Sequence, residues 1–411
     1  MLRKNHFLFC PAVLLLLFAA HLASFLTTAH AQDSSFWEEA GLYGGQVLAI
    51  AVDPEDNATV YAGSYSGDGL FKSTDRGATW RTIPGFRNMG ILDIDIDPNN
   101  PENVWVCFRQ YVAFSVDYGE TWQYLDFAYH KGMRTCFAVA VDPHDATGST
   151  VYVGTSGRGG ANSYGAVFKT TDGGASWDMV QRFADYNILD IMVNPNTADE
   201  VWAVSAPWAL AVNSGRIYMS TNGGRTWYDW SSAAATDGYA YPMGYLDNVL
   251  VHPVDPLKIF AAGHYGVLTK PDGTQRTSWH ISELPEEIFM SHAISIPFAE
   301  PDMLYASLIA ESDNSSVPDY YIAQSSDYGL SWDAFWDAPY EMPVLTPDPF
   351  NPAQIYAGTV HQGIFKTEDS ARSWSAISIN DSVLAPDNPE VLLCSTTAGL
   401  FLGRAGQKWQ S

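Results

Sequence analysis

One eight-residue phrase returns along this chain, and no other feature narrows the possible folds so far. It reads Ser73-Thr-Asp75-Arg-Gly77-Ala-Thr-Trp80, Ser115-Val-Asp117-Tyr-Gly119-Glu-Thr-Trp122 and Thr170-Thr-Asp172-Gly-Gly174-Ala-Ser-Trp177. It comes back as Ser220-Thr-Asn222-Gly-Gly224-Arg-Thr-Trp227, Ser325-Ser-Asp327-Tyr-Gly329-Leu-Ser-Trp332 and Thr367-Glu-Asp369-Ser-Ala371-Arg-Ser-Trp374, with decayed copies ending at Trp279 and Trp409. The chemistry is that of a hairpin turn. An Asp or Asn side chain accepts hydrogen bonds from the amides that follow it, and Ser or Thr bonds locally. Gly supplies a positive φ, and Trp opens the next strand by burying a large ring. Asp75, Asp117, Asp172, Asn222, Asp327 and Asp369 are therefore turn-makers rather than catalysts.

Upstream of each copy lies an apolar strand that ends in a turn, as in Val47 to Asp53-Pro54, Ile91 to Asp97-Pro98 and Ile188 to Asn194-Pro195. A short strand follows, as in Val60-Tyr-Ala-Gly63, and a third runs into the phrase, as in Gly69-Leu-Phe-Lys72. Each unit thus supplies four short strands, named a to d, in about 40 residues, the unit length of a propeller blade. No amphipathic helical segment interrupts them. The predicted fold is all-β, a single β-propeller of seven to eight four-stranded blades spanning 36–411, with the phrase as the c–d hairpin. Eight units are counted, beginning near 47, 91, 136, 188, 248, 292, 341 and 381; the last is short, which keeps seven as the alternative. Phe36-Trp37 matches a strand d without its blade and is expected to pair with the last blade and close the ring, leaving no exposed edge.

The phrase is similar to the BNR or Asp-box repeat, and the blade order resembles propellers of the sortilin-like, xyloglucanase-like and photosystem II assembly factor-like groups. The resemblance covers essentially all of 36–411. Because that repeat occurs in sialidases, glucanases, sorting receptors and assembly factors alike, it implies a fold and leaves function to the site.

Residues 1–31 have the parts of a secretory signal peptide: Arg3 and Lys4, an apolar stretch from Phe7 to Phe25, and Ala29-His30-Ala31. The expected location is secreted, periplasmic or extracellular, with no membrane span after cleavage. The net charge of −25 repels phosphate backbones and anionic lipid, which excludes nucleic acid as a partner. Once the leader with Cys10 is removed, Cys107, Cys136 and Cys394 remain, an odd number without CxxC spacing, which argues against a disulfide scaffold and a zinc site. Cys107 and Cys136 fall in the apolar parts of adjacent blades, as small buried hydrophobes or as a single disulfide. Neither a metal nor a cofactor is expected, and the chain is expected to be monomeric.

In a four-stranded meander the b–c and d–a connections share one face of the ring. All sizeable insertions fall there: 156–165, 206–215 and 311–319 between b and c, and 231–245 between d and a. Insertions gathered on one face mark a binding side. The b–c tips carry Tyr65, Arg109, Arg158, Trp208, His264 and His361, and the d–a insertion adds Tyr239, Tyr241 and Tyr245. One aligned column near the start of strand a reads Ala49, Asp93, Ala138, Asp190, Asn248, Ala293, Met342 and Asp381. Aromatic faces and carboxylates together suit sugars. The leading expectation is an exported binding propeller whose ligand is a glycan or a protein. The alternative is a glycoside hydrolase or lyase using Asp93 and Asp190. A sialidase is disfavoured, because no early Arg-Ile-Pro motif exists. The stretch Tyr61-Ala-Gly-Ser-Tyr65-Ser-Gly-Asp68-Gly69 departs from the xyloglucanase-like motif, with Gly in place of Arg and the Asp displaced.

Overall fold

The computed structural model describes residues 45–65, 69–126, 133–157, 164–184, 186–207, 215–231, 245–264, 266–270, 279–284, 288–312, 318–338, 340–377, 384–385, 388–396 and 399–404. Seven antiparallel four-stranded sheets follow one another at 47–82, 91–126, 135–184, 186–229, 246–281, 288–338 and 344–377, each pairing its strands in chain order. Blade 1 is typical, with strands Val47–Val52, Val60–Ser64, Leu70–Ser73 and Arg81–Thr82. Successive strands a touch one another all the way round, including the seventh with the first, so they form the inner wall of a ring. The fold is a single β-propeller of seven blades.

The eighth counted blade is thereby corrected. Blade 7 closes directly on blade 1: the Val47 N–H donates to Thr359 O (2.9 Å), and the Tyr356 hydroxyl donates to Arg76 O (3.1 Å). The Asn57 amide also donates to the Asp348 carboxylate (2.9 Å). That seam leaves no gap for another blade. The remaining strands, Leu384–Ala385, Asn388–Thr396 and Gly399–Arg404, make a separate three-stranded sheet. Blade 7 takes its fourth strand from its own Ser375–Ile377. Phe36 and Trp37 lie outside the described residues.

The phrase forms the connection between strands c and d. In blade 1 the Thr79 N–H donates to Asp75 Oδ1 (2.7 Å), the Thr79 hydroxyl donates to Asp75 Oδ2 (2.6 Å), and the Gly77 N–H donates to the Ser73 hydroxyl (2.8 Å). The same set recurs around Asp117, Asp172, Asp327 and Asp369. At Asn222 the Thr226 N–H still donates to Oδ1 (2.9 Å), but the Asn222 amide donates to the Thr226 hydroxyl (2.8 Å). The left-handed turn then meets the preceding blade. A Cβ on Gly119 would lie 3.2 Å from Tyr61, one on Gly174 3.0 Å from Trp105, and one on Gly77 3.3 Å from Tyr356. Each glycine thus lets the turn lie flat on the large strand-b ring of the blade before it. Lys72 and Lys169 extend the seam by donating to Tyr118 O (2.6 Å) and Gly223 O (3.1 Å) of the following blade. Trp80, Trp177 and Trp332 are buried, and Trp122 and Trp227 half-buried, at equivalent junctions.

On the same face as these turns, away from the insertions, the strand-a-to-b turns follow one rule. Asp53, Asp97, Asp142, Asn194 and Asp348 each accept from the amide two residues on, and His252 does so through Nδ1. Asn99, His144 and Asn196, at the tips of blades 2, 3 and 4, bond to carbonyls in the next blade's turn. Val254, Phe298 and Phe350 occupy that place in blades 5, 6 and 7 and are exposed.

Candidate functional site

Strand a pairs with strand b on one edge only, so its other edge presents backbone N–H groups toward the axis. In blades 1, 2, 4, 5 and 6 the a–b pairing slips by one residue just before Ala49, Asp93, Asp190, Asn248 and Ala293. In blade 3 the same bulge precedes Ala138. A β-bulge bends a strand and re-aims its side chains. The predicted column is therefore real for blades 1 to 6. In blade 7 its place belongs to Val344 rather than Met342, because Val344 pairs with Gly358 as Ala49 pairs with Gly63. Asp381 lies outside the described residues.

The column's carboxylates tie neighbouring inner strands together. Asp93 accepts from the Ile94 N–H on its own strand and the Val139 N–H on blade 3, both at 2.8 Å. Two residues on, Asp95 accepts from Ile96 (2.9 Å) and Val141 (2.7 Å) in the same way. Asp190 accepts from Ile191 and from Val249 of blade 5 (2.8 Å each), and from the Asn248 amide (2.9 Å). These bonds satisfy the edge amides that the axis would otherwise leave unpaired. Enclosure by the ring disfavours the charged form, and the pKa of each carboxylate rises to about 7. Asp190 adds to the rise at Asp93, and Asp95 to that at Asp190, so the acids of blades 2 and 4 feel one another's charge.

A second polar group stands at the insertion-bearing mouth. The His292 ring meets Asp247 Oδ2 through Nδ1 (3.0 Å) and Glu341 Oε1 through Nε2 (3.1 Å), linking blades 6, 5 and 7. Burial pulls the His292 pKa down, but the hydrogen bonds and charges of the two carboxylates outweigh it and hold it at about 9. The imidazolium in turn lowers Glu341, to which His361 contributes. All three members are part-exposed. Asp95, Asp247, His292 and Glu341 were not foreseen from sequence. The signal lay one residue ahead of the column, where the bulged residues read Leu48, Leu92, Phe137, Leu189, Asp247 and His292: four apolar, then two ionisable.

The other predicted residues divide by placement. Tyr65 is half-exposed on the blade 1 tip, its ring lying over Gly90. Arg109 is exposed in the tight b–c turn of blade 2, at φ 46°. Tyr245 is exposed, and its carbonyl accepts from the His264 N–H (2.8 Å). The His264 ring faces Phe289. His361 is exposed beside Glu341, whose carbonyl accepts from Val360 (3.1 Å). Arg158, Trp208, Tyr239 and Tyr241 lie outside the described residues. Among the described residues no group of three or more His, Cys, Asp or Glu is arranged to hold a metal ion, and no helix is long and apolar enough to cross a membrane.

No protein-family profile matches the chain. Among curated proteins, a xyloglucanase of Paenibacillus sp is 30% identical over 131 residues, which cover 32% of this chain and 10% of that protein. A xyloglucanase of Hypocrea jecorina is 22% identical over 363 residues, covering 75% of this chain and 40% of the relative. The chain thus spans less than half the length of either relative. Among solved structures, YCF48 from Cyanidioschyzon merolae aligns over 79% of this chain and 97% of its own at 15% identity, with a TM-score of 0.52. That likeness is one of fold, and at that level it agrees with the propeller read from the repeats.

Proposed function

We propose that this chain is an exported, monomeric propeller, with a leader at 1–31 and its ring within 36–411, that binds a neutral polysaccharide across the insertion-bearing mouth. The observation that carries this reading is the make-up of that mouth. The exposed rings of Tyr65 and Tyr245 stand on the same face as the Asp247–His292–Glu341 group, whose orientation is fixed by hydrogen bonds. Flat apolar surface beside oriented polar groups is what sugars require: rings stack on their C–H faces, and acceptors take their hydroxyls. Arg109, His264 and His361 complete the described part of the surface, and Arg158, Trp208, Tyr239 and Tyr241 are assigned to its insertions. The acidic net charge disfavours anionic polysaccharides. The curated relatives are xyloglucanases, which makes xyloglucan the first ligand to test.

The relatives' activity also favours a second reading, hydrolysis or lytic cleavage of the same polymer. Under it Asp93 and Asp190, both pushed to about 7, supply the acid and the base. We put binding first because both oxygens of each of these carboxylates already hold backbone amides. Affinity electrophoresis in xyloglucan, followed by analysis of products, separates the two. Binding is expected without new reducing ends, with Tyr65→Ala and Tyr245→Ala each weakening it roughly tenfold, as loss of about 1 kcal/mol or more of ring contact implies. Chain cleavage abolished by Asp190→Asn would establish the hydrolase instead. Undiminished mobility of the wild type in xyloglucan and in other neutral glycans would reject the glycan reading.

A further inference from the structure

Cys107 lies on strand b of blade 2 (Asn103–Phe108), and Cys136 on strand a of blade 3 (Thr135–Val141). Both side chains are fully buried in one apolar cluster with Trp105, Val139, Phe168 and Trp177. The two strands pack directly on each other at the seam between blades 2 and 3, and the Cys136 thiol acts on the Cys107 thiol there. The backbones are tied at the same point, since the Cys136 N–H donates to the carbonyl of Arg109, two residues beyond Cys107. Cys107 and Cys136 are thiols in this structure, free of any bond to one another.

From this juxtaposition we propose that Cys107 and Cys136 form a disulfide that staples blade 2 to blade 3 when the chain folds in an oxidising compartment, a condition that rests on the exported reading above. The oxidant is a disulfide of the thiol–disulfide oxidoreductase or glutathione class. One cysteine, as thiolate, attacks a sulfur of that disulfide and expels one thiolate; the second cysteine then attacks the mixed disulfide and expels the other. The two cysteines lose two protons and two electrons, and the oxidant leaves as a dithiol or two thiols. Timing follows from burial. Inside the finished seam the apolar surroundings and the neighbouring thiol hold the Cys107 thiol well above its ordinary pKa, so attack by its thiolate is disfavoured there. Burial of both cysteines thus favours formation of the bond before the seam closes, and afterwards the same burial shields it from reductants. The cross-link closes a loop of about 30 residues, long enough to restrict the unfolded chain substantially.

The test uses the full chain refolded from urea in mixed reduced and oxidised glutathione, so its result does not depend on export. After refolding, thiols are alkylated under denaturing conditions without reductant and the peptides are mapped. The expected result is a linked Cys107–Cys136 peptide pair with Cys394 alkylated. The oxidised protein should also melt roughly 5 °C above the same chain refolded in reductant. A Cys107→Ala/Cys136→Ala variant should melt alike under both conditions. Alkylation of both cysteines in the folded oxidised sample, or a bond from Cys394 to either of them, overturns the proposal. If the refolded chain carries the bond and the exported chain does not, the staple stands and the exported reading fails.

Discussion

At the residue scale, the recurring glycine of the phrase shows how one position serves two constraints. Gly174 has φ 89°, which disfavours any side chain, and a Cβ there would approach the Trp105 ring to 3.0 Å. Gly174→Ala is therefore expected to destabilise the protein by about 2 kcal/mol, through backbone strain plus crowding of a ring with no room to move. Urea titration followed by tryptophan fluorescence checks this, and an unchanged midpoint would contradict it. The sixth copy carries Ala371 at the same place with φ 65°, fully buried, so a methyl is accommodated in that blade. Trp332 adds another local exception. Its equivalents Trp80, Trp122, Trp177 and Trp227 donate to the carbonyl of the phrase glycine. Gly329 O instead accepts the Ser282 hydroxyl, and the Trp332 indole N–H is left buried without a partner.

At the element scale, the inner strands make the ring's stability depend on pH in a direction fixed by their acids. Asp93, Asp95 and Asp190 titrate near 7 in the folded chain, against about 4 when unfolded. The folded state binds more protons between those values. Their contribution is full below the unfolded pKa and is lost as pH rises through 7. His292, held at about 9, contributes below about 6.5 and loses that contribution as pH rises through 9. The phrase acids act oppositely. Hydrogen bonds to Thr121, Ser176 and Ser373 hold Asp117, Asp172 and Asp369 near 2, so their stabilisation is present above about 4 and lost as pH falls toward 2. The melting temperature is expected to peak between about pH 4 and 6 and to fall on both sides. Asp190→Asn, which keeps an acceptor for the Val249 amide but cannot ionise, should flatten the fall between pH 6 and 8. Calorimetry across that range checks both, and a melting temperature that rises from pH 5 to 8 would refute the assignment.

At the scale of the whole molecule, closure is made by blades 7 and 1 through Val47 with Thr359 and Tyr356 with Arg76. A chain ending after Ile377 keeps every strand of the seven-bladed ring. It is expected to fold in one cooperative transition with the far-ultraviolet spectrum of a β protein, and collapse into aggregate would show that the last sheet supports the ring. The blade count was misread from sequence because the unit near 381 repeats the strand pattern, whereas closure is a property of the two ends meeting. The aligned column was legible in blades 1 to 6 because a bulge of one residue recurs there, and was misplaced in blade 7, where the pairing runs from Val344 to Pro347 without one.

The repeated phrase by itself determined the strand order, the c–d turns and the roles of their Asp, Gly and Trp, because those interactions lie within eight residues and depend on local chemistry. It also placed the insertions on one face, since alternation of strand direction is enough to do so. Tertiary structure decided what depends on blades meeting: seven blades rather than eight, Asp93, Asp95 and Asp190 as ties between inner strands, and Asp247, His292 and Glu341 as one group. Those residues come from different repeats, and Asp247 is separated from His292 by 45 positions. Such distances become contacts only when the ring closes, for the free edge of each inner strand finds its partners on the blade beside it.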